Sequence, residues 1–397
     1  MALRNLLRNP RRTLAVILTV AIGTGSLFIY HGFNTGILRQ YRENIIHARY
    51  GHGQINTKGY RDHIFEKPWE HWISDYRTLE SQLSVLPEVK HIFPRVEFFG
   101  LMSNGRINVS GKGQGVKGEL EAKFFNQLNI IEGKNLDQTP DGILLGKGLA
   151  HALNVHAGDR VTVISNTVHG SMNAGDFTVS GVFHTGVKEF DDVYFRIQIE
   201  QAHQLLDTQK IESIAIGLKS FEAWGDFQKI IENKFPNLEA TAFAVLDKVN
   251  YQHSVDWLNS QFAVTQLIIL AIVILGIFNT ISISILERKQ EIGNLRANGE
   301  SLSEVMVLLG TEGLALGICG AVLGIMGALA FNSLFLEKGI LMPPAPGITK
   351  QEYVLIQFQP LMAGLVFVLG TFCVVLGTVC ASYKIIRMPI AEALRSV

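Results

Sequence analysis

Cysteine is scarce, with Cys319, Cys373 and Cys380 the only three in 397 residues. All three lie inside hydrophobic runs. That excludes a disulfide framework and a C-x-x-C site, and leaves small apolar packing as their role. There is no surplus of charge of either sign, since 35 basic residues balance 35 acidic ones. Such a balance argues against a polyanion-binding protein, so no nucleic-acid partner is expected. A phosphate-binding loop is also missing. Asp141-Gly142-Ile143-Leu144-Leu145-Gly146-Lys147-Gly148 lacks the first glycine and the Ser/Thr that would ligate magnesium. The chain is therefore not expected to hydrolyse ATP or to hold a cofactor of its own. The twelve histidines lie between His31 and His253, and none forms His-Glu-x-x-His. His169, His184, Asp191 and Asp192 are the one candidate metal group. Surface or satisfied histidines are the default, and no metal site is expected.

Long apolar runs are what the chain has in abundance. It is 47% hydrophobic. Four stretches reach the roughly 20 apolar residues that a bilayer requires, at 13–33, 262–286, 313–336 and 361–383. The first follows Arg4, Arg8, Arg11 and Arg12 but is too long for a signal-peptide core and lacks a small-x-small cleavage site, so it reads as an uncleaved anchor. Residues 1–9 place Leu3, Leu6 and Leu7 on one helical face and Arg4 and Arg8 on another, as expected of a short interfacial helix stopped near Asn9-Pro10. Basic residues precede the first span, follow the second (Arg288, Lys289, Arg296) and follow the fourth (Lys384, Arg387, Arg395). Only Lys338 and Lys350 fall between spans three and four. The positive-inside rule then puts both termini in the cytoplasm. The resulting division is a cytoplasmic interfacial helix at 1–12, spans at 13–33, 262–286, 304–336 and 361–383, an external domain with stalks at 34–261, cytoplasmic 287–303, an external loop at 337–360 and a cytoplasmic tail at 384–397.

Residues 34–45 and 246–261 read as stalks. Between them, strand and helix signals alternate. Strands are expected near 142–146, 160–165, 177–183, 193–197, 213–218 and 239–245, with helices near 149–153, 199–206 and 221–235, which gives an α+β domain. Two subdomains are expected, one built from about 46–105 and 195–250 with the other inserted. The glycine-rich interval 105–118 reads as a long hairpin or flexible loop. Gly313, Gly317, Gly320, Gly324 and Gly327 stripe span three. Gly317, Gly320 and Gly324 are the candidate helix-packing positions, within one subunit or across a dimer. Glu312 is the one acid at the edge of that span, and serves either as a proton relay or as a structural contact to the 287–303 segment or the N-terminal helix. The 342–349 loop, MPPAPGIT, is stiff and irregular.

The 279–304 stretch, NTISISILERKQEIGNLRANGESLSE, joins spans two and three. Asn298-Gly299 reads as a helix stop and Ser301 with Glu304 as a capping box. Either a solvated hairpin or a short docking helix for a soluble partner fits this pattern. In the docking reading Glu287, Arg288, Glu291 and Arg296 supply charges, Ile292 and Leu295 an apolar anchor, and Gly293 close backbone approach.

The pattern Asn279-Thr280, Glu287-Arg288, Glu291-Ile292-Gly293 and Arg296-Ala297-x-Gly299 resembles the segment after the second span of FtsX/MacB-type ABC permeases. It departs from that family at Lys289-Gln290 and Asn298. ALRNLLRNPRRTLAVILTVAIG near the start, and Arg387-Met388-Pro389 with Ala391-Glu392-Ala393-Leu394-Arg395 at the end, resemble the same family. GHGQINTKGY at 51–60, FPRVEFFGLMSNG at 93–105, LLGKGLAHALNVHAGDRVTV at 144–163 and FTVSGVFHTGVKEFDD at 177–192 resemble the external domain of LolC/LolE-like lipoprotein-releasing permeases, with a departure at Lys117-Gly118-Glu119. The resemblance implies a multi-pass protein of the bacterial inner membrane with a MacB-like periplasmic domain, surrounded by lipid. It implies a non-catalytic subunit paired with a second permease, identical or different, and driven by a cytoplasmic ATPase dimer that binds ATP and magnesium. Coupling would run through Glu287, Arg288, Glu291, Ile292, Gly293, Leu295 and Arg296 by mechanotransmission. Three functions stay open: extraction of lipoproteins toward the outer membrane with a periplasmic carrier, MacB-like efflux of peptides or drugs, and FtsX-like signalling without transport.

Overall fold

A computed structural model describes residues 10–126, 128–136, 141–343, 351–390 and 392. The interfacial helix expected at the N-terminus, most of the proline-rich loop and the end of the tail lie outside the described residues. Two compact units result. Residues 10–40, 255–342 and 353–392 form one, and residues 41–254 the body of the other.

The first unit is helical. Its elements are α1 (Pro10–Ile45, which continues into the second unit), α2 (His253–Glu287), α3 (Lys289–Ala297), α4 (Leu302–Phe335) and α5 (Pro360–Ile386). Among the described residues, four helices are long and apolar enough to cross a membrane, with mean hydropathy of 1.9 to 2.6. The expected stalk 34–45 belongs to the same unbroken helix as the first span. Val16, Val20, Ile277, Ile281, Ile285, Leu309 and Val374 make an apolar core between the helices. Many other large side chains, such as Leu267, Leu275 and Leu334, face outward, as a lipid-facing surface requires.

The glycines of α4 set its approach to two neighbours. A Cβ on Gly313 would lie 2.6 Å from Thr378 Oγ1, and one on Gly317 3.0 Å from Thr371 Cα, both on α5. A Cβ on Gly320 would meet Val20 at 2.6 Å, and one on Gly324 the Ala21 carbonyl oxygen at 2.4 Å, both on α1. Gly317, Gly320 and Gly324 thus pack within one chain. Gly327 has nothing within 4 Å.

The second unit is built on one ten-stranded sheet. The strands are β1 (Gly53–Thr57), β2 (Val89–Ser103), β3 (Asn108–Val116), β4 (Asn129–Gly133), β5 (Gly142–Gly146), β6 (Arg160–Asn166), β7 (Met172–His184), β8 (Tyr194–Gln198), β9 (Ser213–Leu218) and β10 (Leu238–Ala242). Their order is β10-β1-β9-β2-β3-β8-β5-β7-β4, with β6 pairing both β2 and β7. Among the described strand pairs, only β3–β8 and β5–β7 are parallel. The fifteen-residue β2 serves two cores. Its first half pairs with β9 over a core of Ile55, Leu79, Ile214, Phe227 and Ile231. Its second half pairs with β3 and β6 over Val96, Phe98, Met102, Val163 and Phe195.

The glycine-rich interval forms the second arm of a long hairpin with β2, the first of its two expected readings, and is not a flexible loop. Residues 108–116 are strand β3, and only the turn before it is irregular, with Gly105 at φ 84°. A Cβ on Gly113 would lie 2.5 Å from the Phe98 ring and 2.7 Å from the Phe195 ring. These glycines leave room for aromatic rings that fill the core from neighbouring strands. The strand expected at 239–245 is also shorter, because Phe243–Leu246 turns into a helix.

Candidate coupling site between the second and third spans

Helix α3 starts where α2 ends. Arg288 leaves helical geometry at φ −95°, ψ 11°, and nine residues of α3 follow. The helix stops in a Schellman arrangement. The Glu300 N–H donates to the Leu295 carbonyl (3.3 Å) and the Gly299 N–H to that of Arg296 (3.1 Å). Gly299 sits at φ 97°, where a Cβ would be strained. Ser301 then opens α4 with a reciprocal capping box, in which the Ser301 N–H donates to Glu304 Oε2 at 2.8 Å and the Glu304 N–H to Ser301 Oγ at 3.3 Å.

Charged side chains tie this short helix to its surroundings. Arg12 at the start of α1 pairs with Glu287 at 2.7 Å. Arg288 donates through Nε to Glu291 Oε2 at 2.9 Å and through Nη1 and Nη2 to Glu312 on α4. Arg296 Nη1 donates to the Ile386 carbonyl and, at 2.7 Å, to that of Met388, at the carboxyl end of α5. Ionic or charge-assisted contacts therefore run from the α3 region to α1, α4 and α5.

The apolar residues expected to face a partner face inward instead. Ile292 is 2% exposed, Gly293 is buried, and Leu295 packs against the same core as Ile285, Val305, Leu309 and Ile385. Burial of Ile292 is worth about 2–3 kcal/mol of apolar transfer, which binds α3 to its own bundle. The outward strip consists of Gln290, Glu291, Asn294, Ala297 and Asn298.

The sheet domain holds a buried charged network that sequence reading missed. Arg95, 1% exposed, grips Glu121 with two bonds of 2.7 Å. Arg196 donates to Glu121 at 3.2 Å and to Gln114 at 3.0 Å, and Gln114 donates to Glu97 at 2.7 Å. Glu97 also pairs with Lys112, while its backbone N–H donates to Glu212 Oε2 at 2.8 Å and Tyr60 donates to Glu212 Oε1 at 2.7 Å. Burial opposes ionisation of Glu97, but Lys112 and Arg49 beside it hold its carboxyl down at about 2. Burial, followed by the negative charge of Glu97, pushes Glu212 up to about 7. The available signal was an arginine inside an apolar strand run, IFPRVEFF for Arg95 and YFRI for Arg196. The four candidate metal ligands do not converge. His184 pairs with Asp191 at 2.6 Å, Asp192 with Lys188, and His169 approaches Asp207 at 4.0 Å.

A bundle of membrane-length helices, a large α/β sheet domain inserted between the first two, and a short clamped helix between the second and third define a membrane permease subunit. The MacB-like periplasmic core domain model matches residues 13–234 and the FtsX-like permease C-terminal model residues 263–390. The chain belongs to the FtsX/MacB-type ABC transporter permeases. Among curated relatives it is 22% identical over 334 residues to the lipoprotein-releasing system transmembrane protein LolE of Haemophilus influenzae, covering 81% of this chain and 78% of that one. It is 23% identical over 331 residues to LolC of Xylella fastidiosa, covering 81% and 76%. Among solved structures, the periplasmic region of MacB from Actinobacillus actinomycetemcomitans matches at TM-score 0.36 and 14% identity, over 50% of this chain and 92% of that one.

Proposed function

We propose that this chain is the permease subunit of an ABC transporter that extracts lipoproteins or other lipidated substrates from the bacterial inner membrane toward the outer membrane. Both termini and α3 are cytoplasmic in this reading. A separate ATPase dimer, which binds ATP and magnesium, docks the outward strip of α3, and a second permease subunit, identical or different, completes the complex. Closure of the ATPases moves α3, and the movement reaches the sheet domain along the helices without passage of cargo across the bilayer. A periplasmic carrier receives the cargo.

The observation that carries the mechanical part is α3 itself, a nine-residue helix clamped on one side and exposed on the other. The cargo assignment is supported by similarity to proteins named for lipoprotein release over about four-fifths of the chain. The test is depletion of the protein followed by identification of what accumulates in the inner membrane. Retained lipoproteins are the expected result. Unchanged lipoproteins with new sensitivity to peptides or drugs would favour efflux instead. For docking, Asn294→Arg on the exposed strip should reduce co-purification of the ATPase at least fivefold while leaving membrane insertion intact. Full retention would remove α3 as the dock.

A further inference from the structure

We infer that Glu312 is a positioning residue that pins α3 to α4 through Arg288, so that a displacement of α3 is delivered to the packed spans. This deepens the coupling role proposed above and rests on it. Glu312 is 2% exposed on a face of α4 otherwise formed by Val305, Leu309 and Gly313. An ionised carboxylate in such a place is unfavourable unless paired, and Arg288 supplies the pair. The guanidinium makes two contacts to Glu312, through Nη1 and Nη2, and a third to Glu291 through Nε.

Stability alone does not account for this choice. Replacing a buried ion pair with packed apolar residues is often neutral or stabilising. An apolar contact, however, permits sliding and rotation, whereas a planar fork on a carboxylate fixes direction as well as distance. Arg288 also stands at the N-cap of α3, so fixing its side chain fixes the entry of that helix. On the α4 side, Gly313, next to Glu312, abuts Thr378 of α5, and Gly320 and Gly324 abut α1. Helices in such close contact cannot be displaced singly, so a pull on Glu312 is shared by α4, α5 and α1.

The test uses the full chain in lipid nanodiscs, without ATPase, with its three cysteines replaced by alanine and spin labels at Ala297 and Leu334, both exposed. The parent should give a narrow distance distribution, and Glu312→Gln should broaden it at least twofold. Glu312→Asp keeps the charge with a shorter reach and should give an intermediate width, which preserves the test if the glutamine variant fails to fold. Arg288→Gln with Glu312→Gln removes both charges. It should restore the thermal midpoint but not the narrow distribution. A distribution as narrow as the parent's in Glu312→Gln, or width and midpoint recovering together in the double variant, would overturn the inference. Because these readings need no ATPase, they stand apart from the docking result with Asn294→Arg. In the purified complex Glu312→Gln should keep the ATPase within twofold yet lose at least fivefold in substrate release per ATP hydrolysed. Unchanged release per ATP would also overturn it.

Discussion

Arg296 presents one nitrogen to two backbone carbonyls at the end of α5, where helix carbonyls lack partners and the helix dipole favours a cation. Its place is inside the bundle, so the reversal Arg296→Glu is a structural change before it is a docking change. Arg296→Ala should lower stability by about 1.5–3 kcal/mol, the usual worth of a hydrogen bond from a charged donor. A thermal-shift series in detergent checks this, and a midpoint within error of the parent would contradict it. Glu212 offers a second measurement at this scale. Its folded carboxyl titrates at about 7, above the ordinary 4.5. The stability it contributes is therefore complete below pH 4.5 and lost as pH rises through about 7. From pH 5 to pH 8 the parent should lose roughly 1–3 kcal/mol relative to Glu212→Gln, at about 1.4 kcal/mol per pKa unit. Denaturation followed by tryptophan fluorescence at both pH values measures the gap, and a gap independent of pH would show that Glu212 ionises as freely folded as unfolded.

At the scale of elements, periodicity and capping chemistry were legible and partners were not. The end of α3 and the start of α4 follow from Asn298-Gly299 and Ser301-x-x-Glu304, because caps are local. The Arg288–Glu312 contact joins residues 24 apart across a turn, and Arg296 reaches residues 90 and 92 positions away. No local rule specifies such pairs. Strand β3 was legible only as one of two alternatives, a long hairpin or a flexible loop, for another reason. Its glycines suit a flexible loop by propensity, and the Phe98 and Phe195 rings that require them come from other strands. Ile292 was legible as apolar, but periodicity over a nine-residue helix does not say whether its apolar face meets a partner or its own bundle. For α4 the packing is sharp enough to predict. Gly324→Leu and Gly320→Leu should each lower the yield of monodisperse folded protein severalfold, since the added side chains meet α1 within 2.6 Å of backbone or Cβ atoms. Gly327→Leu, with open space around it, should match the parent. Equal size-exclusion profiles for all three variants would refute the close approach.

For the whole molecule, the four spans and the large inserted domain were written in hydropathy and length, which depend on composition over long windows. The expected topology rests on charge bias. Reporter fusions at Gly115 and Lys210 should be active only as external reporters, and a fusion after Val397 only as an internal one. An external reporter active at Val397 would reverse the orientation on which the docking of α3 depends.

The Arg288–Glu312 pair also bears on how the chain is made. Synthesis runs from the N-terminus, so Arg288 leaves the ribosome 24 residues ahead of Glu312. When α4 partitions into lipid, the counter-charge for its one buried acid is already in place. A lone carboxylate near the middle of a span would add roughly 2.5–3.5 kcal/mol to insertion, and near the end of α4 somewhat less. A residue outside the span thus lowers the barrier to inserting it. Neutralising Arg288 should therefore reduce the amount of protein that reaches the membrane, quite apart from what that arginine does once the protein is there.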